Sequence, residues 1–201
     1  MLFSIKNHLG PTLLLTVVLA AASLWLHQLL GLRWNLDLSP SLIRSAALGL
    51  GAIVGINAGL HLLLRAMFGD GHLATCRRFV NHFRPQGPAH FLAAGLLAAA
   101  EEMFFRGVVL EGLWHGIAPG PGWAIAASAG LFGICHLIRE RLLGLFFWWA
   151  VLEGVMLGVF YASTGSLAVL MLAHAVNDAA GFALFAVERH TGWFLQRGKG
   201  S

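Results

Sequence analysis

The sequence predicts an all-α protein: a polytopic membrane helix bundle of about six transmembrane helices, with both termini in the cytoplasm. Three observations predict it. First, 58% of the 201 residues are hydrophobic and only 11% are charged, against about 25% charged in ordinary soluble domains, and mean hydropathy is +0.75. Second, the apolar residues come in six long runs, and crossing a hydrocarbon layer of about 30 Å takes roughly 20 residues of helix. Third, Lys and Arg fall in short clusters between the runs. That pattern encodes membrane topology. A soluble domain of this length has too little interior to hide so much apolar surface.

The six predicted spans cover about 11–31, 42–68, 89–117, 121–138, 142–162 and 166–187. The breaks carry turn chemistry: "LSPS" after the first, "APGPG" between the third and fourth, "STGS" between the fifth and sixth. With neither an internal repeat nor a low-complexity linker, the chain reads as one membrane domain over 1–201. The first span begins like a signal peptide, with Lys6 ahead of an apolar core and small residues at Ala20 and Ala22. Its apolar run continues through "LWLHQLLGL", so it reads as an uncleaved anchor. Between the second and third spans, "LATCRRFVNHFR" at 73–84 mixes apolar and basic residues at roughly helical spacing. It is either a helix in the cytoplasmic interface or a basic loop.

Orientation follows from the basic residues. Lys6, Arg65, Arg77, Arg78, Arg84, Arg139, Arg141, Arg189, Arg197 and Lys199 fall on the side holding both termini, and only Arg33 and Arg44 on the other. Such a bias places both termini in the cytoplasm. The net charge of +4 does not indicate nucleic acid, because no basic tract or aromatic-interleaved basic face exists. Cys76 and Cys135 form no CxxC and no metal-binding repeat, and imply no disulfide framework. Cys135, beside His136, reads as a small packing residue rather than a nucleophile.

Against this apolar background, "AAAEEMFFRGVVL" at 98–110 places Glu101, Glu102 and Arg106 inside a span. A charge at the bilayer centre costs roughly 2.5–3.5 kcal/mol on insertion scales. Glu102 and Arg106, at i and i+4, share a helix face and can pair. Glu101 is turned about 100° away and either faces a wet cavity or joins the same cluster. Two further motifs lie in other spans. "FGICH" sets Phe132 and His136 one turn apart, and "HAVND" sets His174 and Asp178 one turn apart with Asn177 beside them. A lone membrane histidine is often only a helix-to-helix hydrogen bond. Two histidines with three carboxylates are a set that activates water, binds metal or stabilises an oxyanion. By helix rise, Glu101 lies roughly 18 Å from the cytoplasmic edge, and Asp178 and His174 roughly 13 and 20 Å. His136 falls near the cytoplasmic end of its span. Sharing a site with the others requires it to lie deeper than the boundary drawn, or the helix to continue past Arg139.

These three motifs, in this order and on three separate spans, resemble the CAAX protease and bacteriocin-processing (CPBP, or Abi) family of intramembrane proteases, related to the type II CAAX prenyl endopeptidases. The family pattern is EExxxR, then FxxxH, then HxxxN or HxxxD. Here it reads Glu101-Glu102-MFF-Arg106, Phe132-GIC-His136 and His174-AVN-Asp178. The resemblance covers about residues 90–187, a CPBP-like catalytic core. It implies a multi-helical membrane endopeptidase whose site opens to the cytoplasm. Glu101 would be the general base that, with His136, activates water; His174 and position 178 would stabilise the oxyanion; Glu102 and Arg106 would be the supporting ion pair. The candidate catalytic set is thus Glu101, Glu102, His136, His174 and Asp178, with Arg106, Phe132 and Asn177 in support. The family includes enzymes that trim prenylated CAAX proteins and others linked to bacteriocin maturation, immunity or sorting-signal removal.

Asp178 stands where many family members carry asparagine. An ionised aspartate accepts hydrogen bonds but donates none. It therefore either orients His174, or ligates a metal, or leaves the donor role to Asn177. His136, His174 and the carboxylates Glu101 and Asp178 could hold zinc, but no HExxH is present. A glutamate-activated water with no obligatory cofactor is the preferred reading, zinc remaining open. Glu153, in the fifth span, would line the cavity or pair with Arg106. Glu111 and His115 read as a local pair, and His27 and His61 as single membrane histidines. The partners implied are membrane lipid and a membrane-associated protein or peptide substrate. By analogy the location is a bacterial plasma membrane. Two other classes stay open: a small proton-coupled transporter, against which the lack of an inverted repeat counts, and a non-enzymatic scaffold or immunity protein that keeps the family shape.

Overall fold

A computed structural model describes residues 8–82, 87–116, 120–136 and 145–191. All regular structure among them is helical. Helix α1 spans Leu9–Leu29, α2 Pro40–Phe68 and α3 Asp70–His82. Helix α4, Pro88–Phe104, runs on through a π-helical stretch, Phe105–Leu110, into the short α5, Glu111–Gly116. Helix α6 spans Pro121–Cys135, α7 Leu145–Thr164 and α8 Leu167–Thr191. Prolines at the first turns of α2, α4 and α6 start those helices where a backbone N–H is not needed. The segment at 73–84, open between helix and loop in the sequence, is helical up to His82. Its Leu73 and Val80 are buried around Cys76, while Arg77 and Arg78 are exposed.

Four helical stretches are long and apolar enough to cross a bilayer: Leu9–Leu29, Pro40–Phe68, Phe146–Thr164 and Leu167–Glu188. The chain is therefore a multi-pass membrane protein. The other two predicted spans also exist as helix, one apolar but short and the other interrupted by charges. The predicted 121–138 span stops at Cys135, and α6 is only 15 residues long, about 22 Å at helical rise. The predicted 89–117 span is the α4–π–α5 rod, which carries Glu101, Glu102 and Arg106. These two are the most protected helices of the bundle. Helix α4 packs chiefly on α8 and α1, and α6 on α7. By contrast α1 and α2 bury little of their surface and leave Leu14, Val17, Trp25, Leu48 and Leu62 exposed. Hydrocarbon solvates such side chains as well as a protein interior does.

Small residues bring α6 and α7 into close contact. A Cβ on Gly154 would come within 2.9 Å of the Ala129 backbone, and one on Gly158 within 2.9 Å of Ile125. This GxxxG step on α7 lets α6 approach backbone to backbone. At the far end, the extended segment before α2 is tied to the α7–α8 turn. The Leu167 N–H donates to the Asn35 carbonyl at 2.8 Å, and the Ser166 hydroxyl to the Asp37 carbonyl at 2.7 Å. Gly165, at φ +63°, makes that turn where a side chain would be strained.

Candidate functional site

The π-helical stretch is where the site begins. A π turn shifts carbonyls out of the α-helical register, and two of them take donors from elsewhere. The Ser128 hydroxyl donates to the Phe105 carbonyl at 2.7 Å, and the Trp34 indole N–H to the Gly107 carbonyl at 2.8 Å. The widened turn follows directly on the two glutamates and contains Arg106. Gly107 is required at its position, since a Cβ there would meet the Trp34 indole nitrogen at 2.8 Å.

Glu101, Glu102, Arg106, His136 and His174 are each at most 2% exposed. Glu102 is the hub. Its Oε1 accepts from the Arg106 guanidinium at 2.7 Å and from His174 Nδ1 at 2.6 Å. A carboxylate only accepts, so His174 carries a proton on Nδ1. Arg106 also donates to the Gly154 carbonyl at 3.0 Å and lies over the Phe132 ring, 4.8 Å from its centroid. The buried cation is thus met by a carboxylate, a carbonyl and a π face, which together offset its loss of water. Arg106 does not pair with Glu153. The Glu153 carboxylate instead accepts from Asn177 Nδ2 at 2.7 Å and gathers with His174 and Asp178, one ligand atom of each lying within 4.8 Å of the others. Asp178 Oδ1 is 3.7 Å from His174 Nε2, beyond hydrogen-bond range.

His136 sits at the C-cap of α6. The described helix ends at Cys135; the continuation past Arg139 that one geometric route to a shared site required falls on residues 137–144, which lie outside the described ones. Its Nδ1 is 2.6 Å from the Phe132 carbonyl. A carbonyl also only accepts, so Nδ1 holds the proton and a neutral ring keeps its lone pair on Nε2. The Phe132 ring lies 4.3 Å from the His136 ring and 6.0 Å from that of His174. The two imidazoles are therefore no farther apart than those separations combined. Glu101 is close enough for its charge to act on the thiol of Cys135, the residue before His136. One turn on, Phe105 packs edge-on against Phe132 at 5.1 Å.

All three motifs thus contribute to one buried cluster. Residues 84–180 match the family model of the Rce1-like type II CAAX prenyl endopeptidases. Those residues form an Rce1-like domain. No curated protein and no solved structure matches the chain. The Rce1-like domain spans α4 to most of α8 and takes in every residue of the cluster. Glu153 and Ser128 are the members that the three motifs leave out. A buried glutamate in the fifth span was the available signal for the first; nothing in the sequence marks Ser128 as a donor to a π-helical carbonyl. Beside the cluster, between α4 and α8, an apolar groove of about 370 Å3 is lined by Phe91, Leu96, Ala99, Met171 and Ala175 among others.

Chemically, the cluster offers buried carboxylates (Glu101, Glu102) and two buried imidazoles (His136, His174), one of them clamped by Glu102. The Glu153–His174–Asp178 group has the N and O donors that suit a divalent ion, zinc first by ligand type. Such an ion would supply Lewis-acid polarisation of a carbonyl or an acidified water.

Proposed function

We propose that the chain is an intramembrane endopeptidase that hydrolyses a peptide bond in a membrane-associated protein or peptide. The reading rests on the Rce1-like domain. The observation that carries it furthest is the direct bond between the first and third motifs, Glu102 to His174, with Phe132 of the second motif over Arg106. In the proposed reaction Glu101, with His136 Nε2, takes a proton from water as its oxygen attacks the scissile carbonyl carbon. The tetrahedral oxyanion is met by His174, whose Nε2–H donates when the ring is doubly protonated. Asp178 orients that ring or holds a metal beside it. The proton taken from water then passes to the leaving amine as the C–N bond breaks. Glu102 and Arg106 position His174 and do not touch substrate.

In the proposed topology six helices cross the membrane, both termini lie in the cytoplasm, and the site opens to that side. The decisive experiment compares the membrane-protein termini of cells carrying the native chain with those of cells carrying Glu101→Gln at equal abundance. Termini that vanish in the variant identify substrates. An unchanged set of termini sinks the proposal, and proton flux in liposomes without peptide cleavage would favour a transporter instead.

A further inference from the structure

A second cluster of ligand-type side chains lies outside residues 84–180, at the corner between α2 and α3. His61 sits two turns before the end of α2, and the chain reverses at Gly69, φ +50°. His72 and Cys76 then fall one turn apart on α3 and face back towards His61. His72 Nε2 is 3.0 Å from His61 Nδ1, and Cys76 Sγ is 3.5 Å from His72 Nε2 and 3.8 Å from His61 Nδ1.

We infer that His61, His72 and Cys76 form a binding site for a thiophilic transition-metal ion of the zinc type. The triangle is close to one face of a zinc tetrahedron. With Zn–N of about 2.05 Å and Zn–S of about 2.3 Å, tetrahedral angles set N···N near 3.3 Å and N···S near 3.6 Å. The three atoms would each move by only a few tenths of an ångström. The fourth position is left to water or another ligand. The donor set of two imidazoles and a thiolate selects zinc or copper(I) over magnesium or calcium. All three side chains are half-buried, and Leu73 and Val80 pack around Cys76 and fix its helix face.

Two terms oppose binding. The Arg65 charge faces both imidazoles, and burial pushes the Cys76 thiol above its ordinary value of 9.0. Coordination must therefore displace the thiol proton, and the thiolate then offsets part of the cation's repulsion with Arg65. Within one chain the ion would cross-link α3 to α2, holding the basic helix against the bundle.

The test uses the full chain in detergent, stripped with chelator and titrated with Co2+ and then Zn2+. The expected result is about one equivalent of Co2+ with a thiolate-to-cobalt charge-transfer band, displaced by Zn2+. The band should be lost in Cys76→Ser and in His72→Gln, and kept in His174→Ala, which removes the other ligand cluster. Circular dichroism and gel filtration of each variant separate loss of ligand from loss of fold. Absence of a thiolate band in the native chain overturns the inference. So does metal that survives the Cys76→Ser and His72→Gln changes but leaves with His174→Ala, since it then belongs to the catalytic cluster. Peptidase activity is not the readout, so failure here leaves the endopeptidase reading intact.

Discussion

The neighbours Glu101 and Glu102 do different work because one residue of helix turns them by about 100°. Glu102 is held through one oxygen by both Arg106 and His174, whereas Glu101 lies towards Cys135 and the end of α6. Glu101→Gln keeps the shape but cannot take a proton, so peptide cleavage should fall by about a hundredfold or more while the protein still accumulates. Progress curves with a cleavable reporter would measure this, and a fall of less than about tenfold would deny it the role of base. Arg106→Met tests the other glutamate. It removes the permanent cation beside buried Glu102 and leaves only His174 on that carboxylate, and should cost about 3–5 kcal/mol in stability. The paired change Glu102→Gln with Arg106→Met should cost less than Arg106→Met alone, because neither charge is then left without its partner. Steric trapping or denaturant titration in detergent would rank them, and equal losses would argue against a buried ion pair.

The elements that hold these residues are unusual in two places. The Phe105–Leu110 π stretch depends on donors from the α1–α2 segment and from α6. Trp34→Phe leaves the Gly107 carbonyl without its indole partner, and Ser128→Ala does the same to the Phe105 carbonyl. Each should cost about 1–3 kcal/mol. Because both bonds anchor the turn that carries Arg106, activity should fall along with stability. A variant that loses stability with an unchanged kcat would show that the π turn is structural only. The second place is the α6–α7 contact. Gly158→Leu drives a side chain into Ile125 and should destabilise by about 1–3 kcal/mol. By separating α6 from α7 it should also loosen Arg106 from the Gly154 carbonyl. Thermal unfolding of the purified protein checks the direction; a neutral result would mean that the helices re-space without cost.

For the whole molecule, the distribution of Lys and Arg makes a topological prediction. A cysteine replacing Arg44 should be labelled by an impermeant thiol reagent from outside the cell, in a background lacking Cys76 and Cys135. One replacing Lys199 should be labelled only after the membrane is opened. Labelling of both from the same side would remove the six-span arrangement. The helical class and the four helices long and apolar enough to cross a bilayer were legible in the sequence, because a chain in hydrocarbon must satisfy its backbone within each helix and so writes its spans as composition. The α6 boundary could be drawn only to within several residues, at about 138, since hydropathy does not register where a helix loses its backbone bonds; the described helix ends at Cys135.

The sequence by itself determined the motifs and their order, and with helix period it determined the Glu102–Arg106 pair, because neighbours at i and i+4 meet whatever the fold. Tertiary structure alone decided the rest. Glu102, not Asp178, clamps His174 at Nδ1; Glu153 turns to Asn177 and not to Arg106; His61 meets His72 and Cys76. Each of these contacts joins two helices. Which faces of two helices meet depends on small-residue packing and on turns such as Gly69 and Gly165, and no periodicity within a single helix carries that information.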